Sequence, residues 1–169
     1  MGVEDHKEKA ATLGSFAGGV LTISDSRTEA DDESGAAIAR LIGAAGHRVA
    51  HYTVVRNEPA AVRASVEAWL QAGADFIITT GGTGLSPRDL SIETLRPLLS
   101  KELDGFGELF RFLSYQEIGS SAIMSRATGG SIGRSLLFCL PGSRAAVELA
   151  TSRLILPELK HLLSQVRKA

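Results

Sequence analysis

Apolar positions along the chain fall into two alternating kinds of run. Short, unbroken β-branched stretches read as strands buried on both faces. Longer stretches with apolar residues every three or four positions read as helices with one inner face. Val20-Leu21-Thr22-Ile23, set between Gly18-Gly19 and the polar Ser24-Asp25-Ser26, is the first such strand. A helix capped by Ser34 follows, with Ala37, Ile38, Leu41 and Ile42 facing inward and Gly46 ending it as a C′ glycine. Val49 to Val55 is a second strand. Pro59 opens the next helix, whose inner face carries Val62, Val66, Trp69 and Leu70, and Gly73 stops it. Phe76-Ile77-Ile78-Thr79-Thr80 is a third strand without polar alternation.

The order βαβαβ with short connections predicts right-handed crossovers and a doubly wound, three-layer α/β/α arrangement around a mostly parallel sheet. Residues 92–124 are helical in character but broken by Gly105, Gly107 and Gly119. Ala127 to Ser131 and Ser135 to Leu140 read as strands joined at Gly133-Arg134, a hairpin adding an antiparallel element. A last helix starts after Pro141-Gly142 with Ser143 as its cap, and Pro157 interrupts or restarts it. Residues 1–14 are expected to be a flexible N-terminal tail, and 15–169 a single domain.

Composition narrows the function. The chain has 169 residues, enough for one core without a disulfide or metal staple. Eighteen basic against nineteen acidic side chains give a formal charge of −1, which argues against a nucleic-acid partner, since phosphate neutralisation wants a basic excess. One cysteine excludes an internal bridge and any zinc site built from several Cys. No run reaches the length of a membrane helix, and the charged N-terminus is no secretory signal; a cytoplasmic protein without a membrane partner is expected.

Ligands of open α/β sheets bind beyond the carboxyl ends of the strands. Three polar turns fall there: Ser24-Asp25-Ser26, Gly81-Gly82-Thr83-Gly84 and Pro141-Gly142-Ser143. In the second, three glycines in four positions let backbone N–H groups approach an anion, Thr83 adds a hydroxyl, and Asp89 adds a carboxylate able to hold Mg²⁺. The same glycines also suit a plain tight turn; the spacing is neither a P-loop nor a dinucleotide fingerprint. Pro141-Gly142-Ser143 reads as an anion-binding helix start or an ordinary capped turn. Ser24-Asp25 is balanced between ligand contact and local capping. Asp31-Asp32-Glu33 is read as helix-start charge rather than a metal cluster. His47 and His51, four apart on a strand, are expected on one face, with too few companions for a metal. His6 and His161 are expected to be solvated. Cys139 is expected to be a buried small hydrophobe, and Gly105-Phe106-Gly107 a kinked, packed helix or a wall of a pocket or trimer.

With those residues in hand the chain resembles the MoaB and MogA family of molybdenum-cofactor biosynthesis proteins. The resemblance runs from about Val20 to Leu163. It rests on Thr22-Ile23-Ser24-Asp25-Ser26, Asp32-Glu33-Ser34-Gly35, Thr80-Gly81-Gly82-Thr83-Gly84 with Pro87-Arg88-Asp89, Gly105-Phe106-Gly107-Glu108, Met124-Ser125-Arg126-Ala127 and Leu140-Pro141-Gly142-Ser143, and leans towards the MoaB branch. It implies a molybdopterin-binding fold and adenylyl transfer, in which the terminal phosphate of molybdopterin attacks the α-phosphate of Mg-ATP and pyrophosphate leaves. It further implies that Gly81, Gly82, Thr83, Gly84, Pro141, Gly142 and Ser143 cradle phosphate and pterin. Asp89 would position Mg²⁺ or the attacking group, and Ser24, Asp25 and Ser114 would help line the pocket. A homotrimer or homohexamer is implied as well. Active members carry an acidic residue after the second strand, where this chain has Asn57, so the alternative is a molybdopterin-binding or scaffold protein of the same pathway that does not catalyse.

Overall fold

The computed structural model of the chain describes residues 2–168, the side chains of Val3, His6 and Lys9 excepted. The solvated position expected for His6 therefore lies outside the described residues. Six strands form one mixed sheet: β1 (Ala17–Ile23), β2 (Arg48–Val55), β3 (Phe76–Thr80), β4 (Lys101–Glu102), β5 (Thr128–Ile132) and β6 (Ser135–Leu140), in the order β2-β1-β3-β6-β5-β4. The first four strands of that order run parallel, and β5 is antiparallel to both β6 and β4. The expected three-layer, mostly parallel architecture with an antiparallel hairpin is the observed one, extended by the short edge strand β4.

Helices cover both faces. α2 (Glu33–Ala44), α5 (Asp104–Ile118), α6 (Arg144–Ala150) and α7 (Leu156–Val166) bury Ile38, Ile42, Phe110, Val147 and Leu159 against Phe76, Ile78 and Phe138 on one side. α3 (Pro59–Gln71) and the short α4 (Ser91–Leu95) bury Val62, Val66, Ile92 and Leu95 against Leu21, Ile77 and Leu137 on the other. A strand sandwiched in this way has no polar face to show, so the unbroken apolar runs follow from the architecture.

β1 starts three residues earlier than its apolar run. Gly18 and Gly19 lie inside the strand because aromatic rings crowd it from both sides. A Cβ on Gly19 would stand 2.6 Å from the Trp69 ring, and one on Gly18 would strike the Phe76 ring. Glycine is the residue that lets large rings press on a central strand.

Other expectations are corrected. His47 and His51 do not share a face. The β1–β2 register jumps from Gly18↔Val49 to Gly19↔His51, skipping Ala50, and this bulge inverts the alternation between the two histidines. His47 is buried against Phe76 and Phe16, and its Nδ1 accepts from the Phe16 amide at 3.1 Å; His51 stacks on Trp69. Residues expected to form a tail carry a helix, α1 (Val3–Ala11), which lies on α7. Ala10 is buried, Lys7 pairs with Glu158, and Lys160 Nζ donates to the carbonyls of Ala11 and Leu13. The anchors sit about 150 residues downstream, so local pattern could not reveal them. Gly105 and Gly107 do not break α5. They fall in its first turns, where the absent side chain of Gly107 makes room for the Arg111 guanidinium.

Candidate functional site

β2, β1, β3 and β6 are parallel neighbours, so their carboxyl ends share one rim. The three polar turns after β1, β3 and β6 meet there. Thr22, Ser24, Arg27, Asp32, Ser34, Thr80, Gly81 and Gly142 line a single hollow of about 120 Å³. Two of the turns nearly touch: a Cβ on Gly142 would be 3.4 Å from Gly81 Cα.

The glycine turn is shaped by contacts that no other residue allows. Gly81 has φ +96° and Gly82 φ +64°, both in the left-handed region. A Cβ on Gly81 would run into the Ile23 carbonyl oxygen. The turn is braced by the Gly81 amide donating to Leu140 O at 3.0 Å, the Ser91 amide to Gly82 O at 3.0 Å, and Ser91 Oγ to Gly81 O at 2.8 Å. The amides of Gly82, Thr83, Gly84 and Gly142 have no acceptor among the described residues. Carbonyls are thus tied down while amides stay available, the polarity that an anion requires.

Hydroxyl groups hold the third turn. Thr80 Oγ1 donates to Pro141 O and Ser34 Oγ to Gly142 O, each at 2.8 Å. Ser34 is therefore not the cap of α2. Asp32 caps it, accepting from the Gly35 amide at 3.0 Å, and its other oxygen receives Thr22 Oγ1 at 2.5 Å and Tyr52 Oη at 2.6 Å. Asp32 is only 2 % exposed, yet its charge has three donors. Burial, and then the bond to Asp32, push the Tyr52 hydroxyl well above its ordinary pKa, so it stays a donor. Asp31 holds the Thr28 amide and hydroxyl. No group of metal-ligating side chains gathers there or elsewhere among the described residues.

Asp25 lies outside the hollow, with both oxygens engaged: Oδ1 accepts from the Asn57 amide at 3.0 Å and Oδ2 from Arg88 Nη2 at 2.8 Å. Through it the segment after β2 becomes a fourth member of the rim, and Asn57 Oδ1 reaches to 3.0 Å of where a Gly82 Cβ would stand. Asp89 folds against Gly84 and accepts the Ser86 amide on Oδ2 at 3.2 Å, leaving Oδ1 without a protein partner among the described residues. One free carboxylate oxygen is a donor of the kind Mg²⁺ takes, since Mg²⁺ is commonly held by only one or two carboxylates and completes its shell with other oxygens.

Of the expected site residues Ser24, Gly81 and Gly142 line the hollow; Asp25, Gly82, Thr83, Gly84, Asp89 and Pro141 lie on the same turns but outside its lining, and Ser114 and Ser143 stand apart. Ser114 is buried on α5 with its hydroxyl donated to Phe110 O, and it does not line the hollow. Ser143 caps α6, accepting the Ala146 amide at 3.2 Å. Cys139 is fully buried in β6, and burial pushes its thiol up to about 12, which suits a packing residue. Sequence reasoning passed over Thr22, Arg27, Asp32, Ser34 and Thr80 as walls of the hollow. Their neighbours in the polar motifs were the available signal; the hydroxyl-to-carbonyl bonds over 61 and 108 residues were not.

Comparison with known proteins gives the family of the chain. The profile of the family described as "probable molybdopterin binding domain" matches residues 19–161. "Molybdenum cofactor biosynthesis protein B" of Staphylococcus aureus is 47% identical over 152 residues, covering 88% of this chain and 90% of that protein. The protein of the same name from Bacillus subtilis is 46% identical over 170 aligned residues, covering 99% of each. A crystal structure of molybdenum cofactor biosynthesis protein B superposes with a TM-score of 0.88 at 45% identity, covering 92% of this chain and 98% of that one. The chain belongs to the molybdopterin-binding domain family of molybdenum-cofactor biosynthesis proteins.

Proposed function

We propose that the chain adenylylates molybdopterin: the terminal phosphate oxygen of molybdopterin forms a bond to the α-phosphorus of ATP, and pyrophosphate leaves with the bonding pair. The observation that carries the proposal is the meeting of the glycine turn, the Gly142 turn and Ser24 around one hollow, with four amides on those two glycine-bearing turns lacking acceptors among the described residues and that of Gly142 on the hollow's wall. In-line phosphoryl chemistry asks mainly for two anions held in alignment and relieved of their charge. Backbone amides serve that end because they do not titrate and are oriented before charge develops. Ser34 and Thr80 fix the turn that bears Gly142, and Ser91 fixes the one that bears Gly82. Asp89 would hold Mg²⁺, which when bound would supply further charge neutralisation.

Asn57 favours a second reading, binding of molybdopterin without transfer. Its amide oxygen brings no charge to the rim beside Gly82. One assay separates the two: purified protein with molybdopterin, Mg²⁺ and ATP, scored by pyrophosphate release, for the wild type and for Asn57→Asp. Release by the wild type supports transfer. Binding of molybdopterin without release, with release gained in Asn57→Asp, supports the second reading. Asp89→Ala abolishes any transfer while leaving the fold intact; full rate in that variant removes Asp89 from its role.

Assembly as a homotrimer or homohexamer in the cytoplasm belongs to the same proposal. It is supported by the exposed row of Leu109, Phe112, Tyr115 and Ile118 along α5, apolar surface of a kind that partners commonly cover. Light scattering of the purified protein tests it.

A further inference from the structure

Outside the hollow one ion pair, Arg88 Nη2 to Asp25 Oδ2 at 2.8 Å, joins the turn after β3 to the turn after β1. Its two halves are unequal. Asp25 is fixed, because its other oxygen accepts the Asn57 amide at 3.0 Å. Arg88 is 70 % exposed and makes no other side-chain bond among the described residues; its backbone amide alone is tied, to Ser86 Oγ. Arg88 also stands next to Asp89. The hollow itself contains a single cation, Arg27, whose Nη1 donates to Asp31 O. A polyphosphate reaching the unpaired amides of the glycine turn would thus find little positive charge inside and one exchangeable guanidinium at the edge.

We propose that Arg88 is the polyphosphate-binding side chain of this site and that Asp25 holds it in reserve, so that the ligand is received by a change of partner from carboxylate to phosphate. An ion pair exposed on both sides contributes little. A guanidinium prefers a multiply charged phosphate that accepts two parallel hydrogen bonds. After the exchange Asp25 still secures Asn57, so the rim keeps its shape while its charge is redirected. The polyphosphate is taken as the nucleotide of the adenylyl transfer proposed above, and the assignment rests on that reading in this respect alone.

The two partners carry opposite signs, which makes the test sharp. Sodium tripolyphosphate is titrated calorimetrically into the full-length protein in EDTA, so that no metal bridges the carboxylates. Arg88→Gln is expected to weaken binding roughly 10- to 100-fold, the scale of a lost charged hydrogen bond. Asp25→Asn still accepts the Asn57 amide but releases Arg88, and is expected to tighten binding about two- to fivefold. Wild-type affinity in Arg88→Gln, weaker binding in Asp25→Asn, or no measurable binding by the wild type each overturns the proposal. The transfer assay on the same proteins keeps the two questions apart. The predicted affinities without any transfer leave the exchange standing and remove the enzymatic reading. Transfer with an unchanged KM for ATP in Arg88→Gln removes the exchange alone.

Discussion

The two ends of the sheet are built from the same strands and solve opposite problems. At the amino end, ionisable side chains close off the backbone. Asp75 accepts the Ala17 amide at 2.6 Å and pairs with Arg167 at 2.6 Å, Arg167 lies over the Phe16 ring, and His47 accepts the Phe16 amide. At the carboxyl rim, neutral hydroxyls from Thr80, Ser34 and Ser91 take up carbonyls, and amides are left over. One end satisfies its donors and contributes stability; the other keeps its donors for a guest. Strand polarity alone does not dictate this difference. It comes from placing acceptors at one end and donors at the other.

The contrast can be broken most forcefully at Gly81. Gly81→Ala forces a Cβ against the Ile23 carbonyl at φ +96°, and is expected to cost roughly 2–4 kcal/mol in urea unfolding together with loss of molybdopterin binding. Asp75→Ala at the other end should cost about 1–3 kcal/mol by leaving the buried Ala17 amide unpaired, while molybdopterin affinity stays unchanged. Equal loss of affinity in Asp75→Ala would erase the proposed division between the two ends. Ser34→Ala frees the Gly142 carbonyl; a several-fold rise in the Kd for molybdopterin is expected, with about 1 kcal/mol or less off the unfolding free energy. The smallest effect concerns pH. Burial, then the Lys160 charge, hold the His47 pKa below its ordinary 6.5, so an unfolded chain binds the proton more readily. The stabilisation is complete above pH 6.5 and is lost as pH falls from there through the lowered value. Melting profiles from pH 7.5 to 5 should decline less steeply in His47→Gln than in the wild type, and parallel declines would remove His47 as the cause.

How far the sequence carried depended on the range of the contacts involved. β3 and β6 were legible because a strand buried on both faces must be apolar throughout, and the rim was legible because polar glycine turns follow those strands. The helix at Val3–Ala11 was not, since its partners are on α7. Ser34 looked like a cap from spacing alone, whereas its hydroxyl serves a turn 108 residues away. Asp25 was balanced between ligand contact and local capping, and its partners, the Asn57 amide and Arg88, lie 32 and 63 residues away. Residue type was informative in each case, and the partner was supplied by tertiary structure.

The bulge at Ala50 reaches further than the histidines that flank it. By resetting the phase of β2, it turns Tyr52 toward α2, where the phenol meets Asp32 beneath the hollow. One residue added between His51 and Tyr52, with no second bulge to absorb it, would slide the strand by half a pleat and swing the phenol to the opposite layer, away from its place beside Val20. The floor under the guest is thus tuned by a count of residues in a distant strand, and a lineage could detune it without altering any residue that the guest touches.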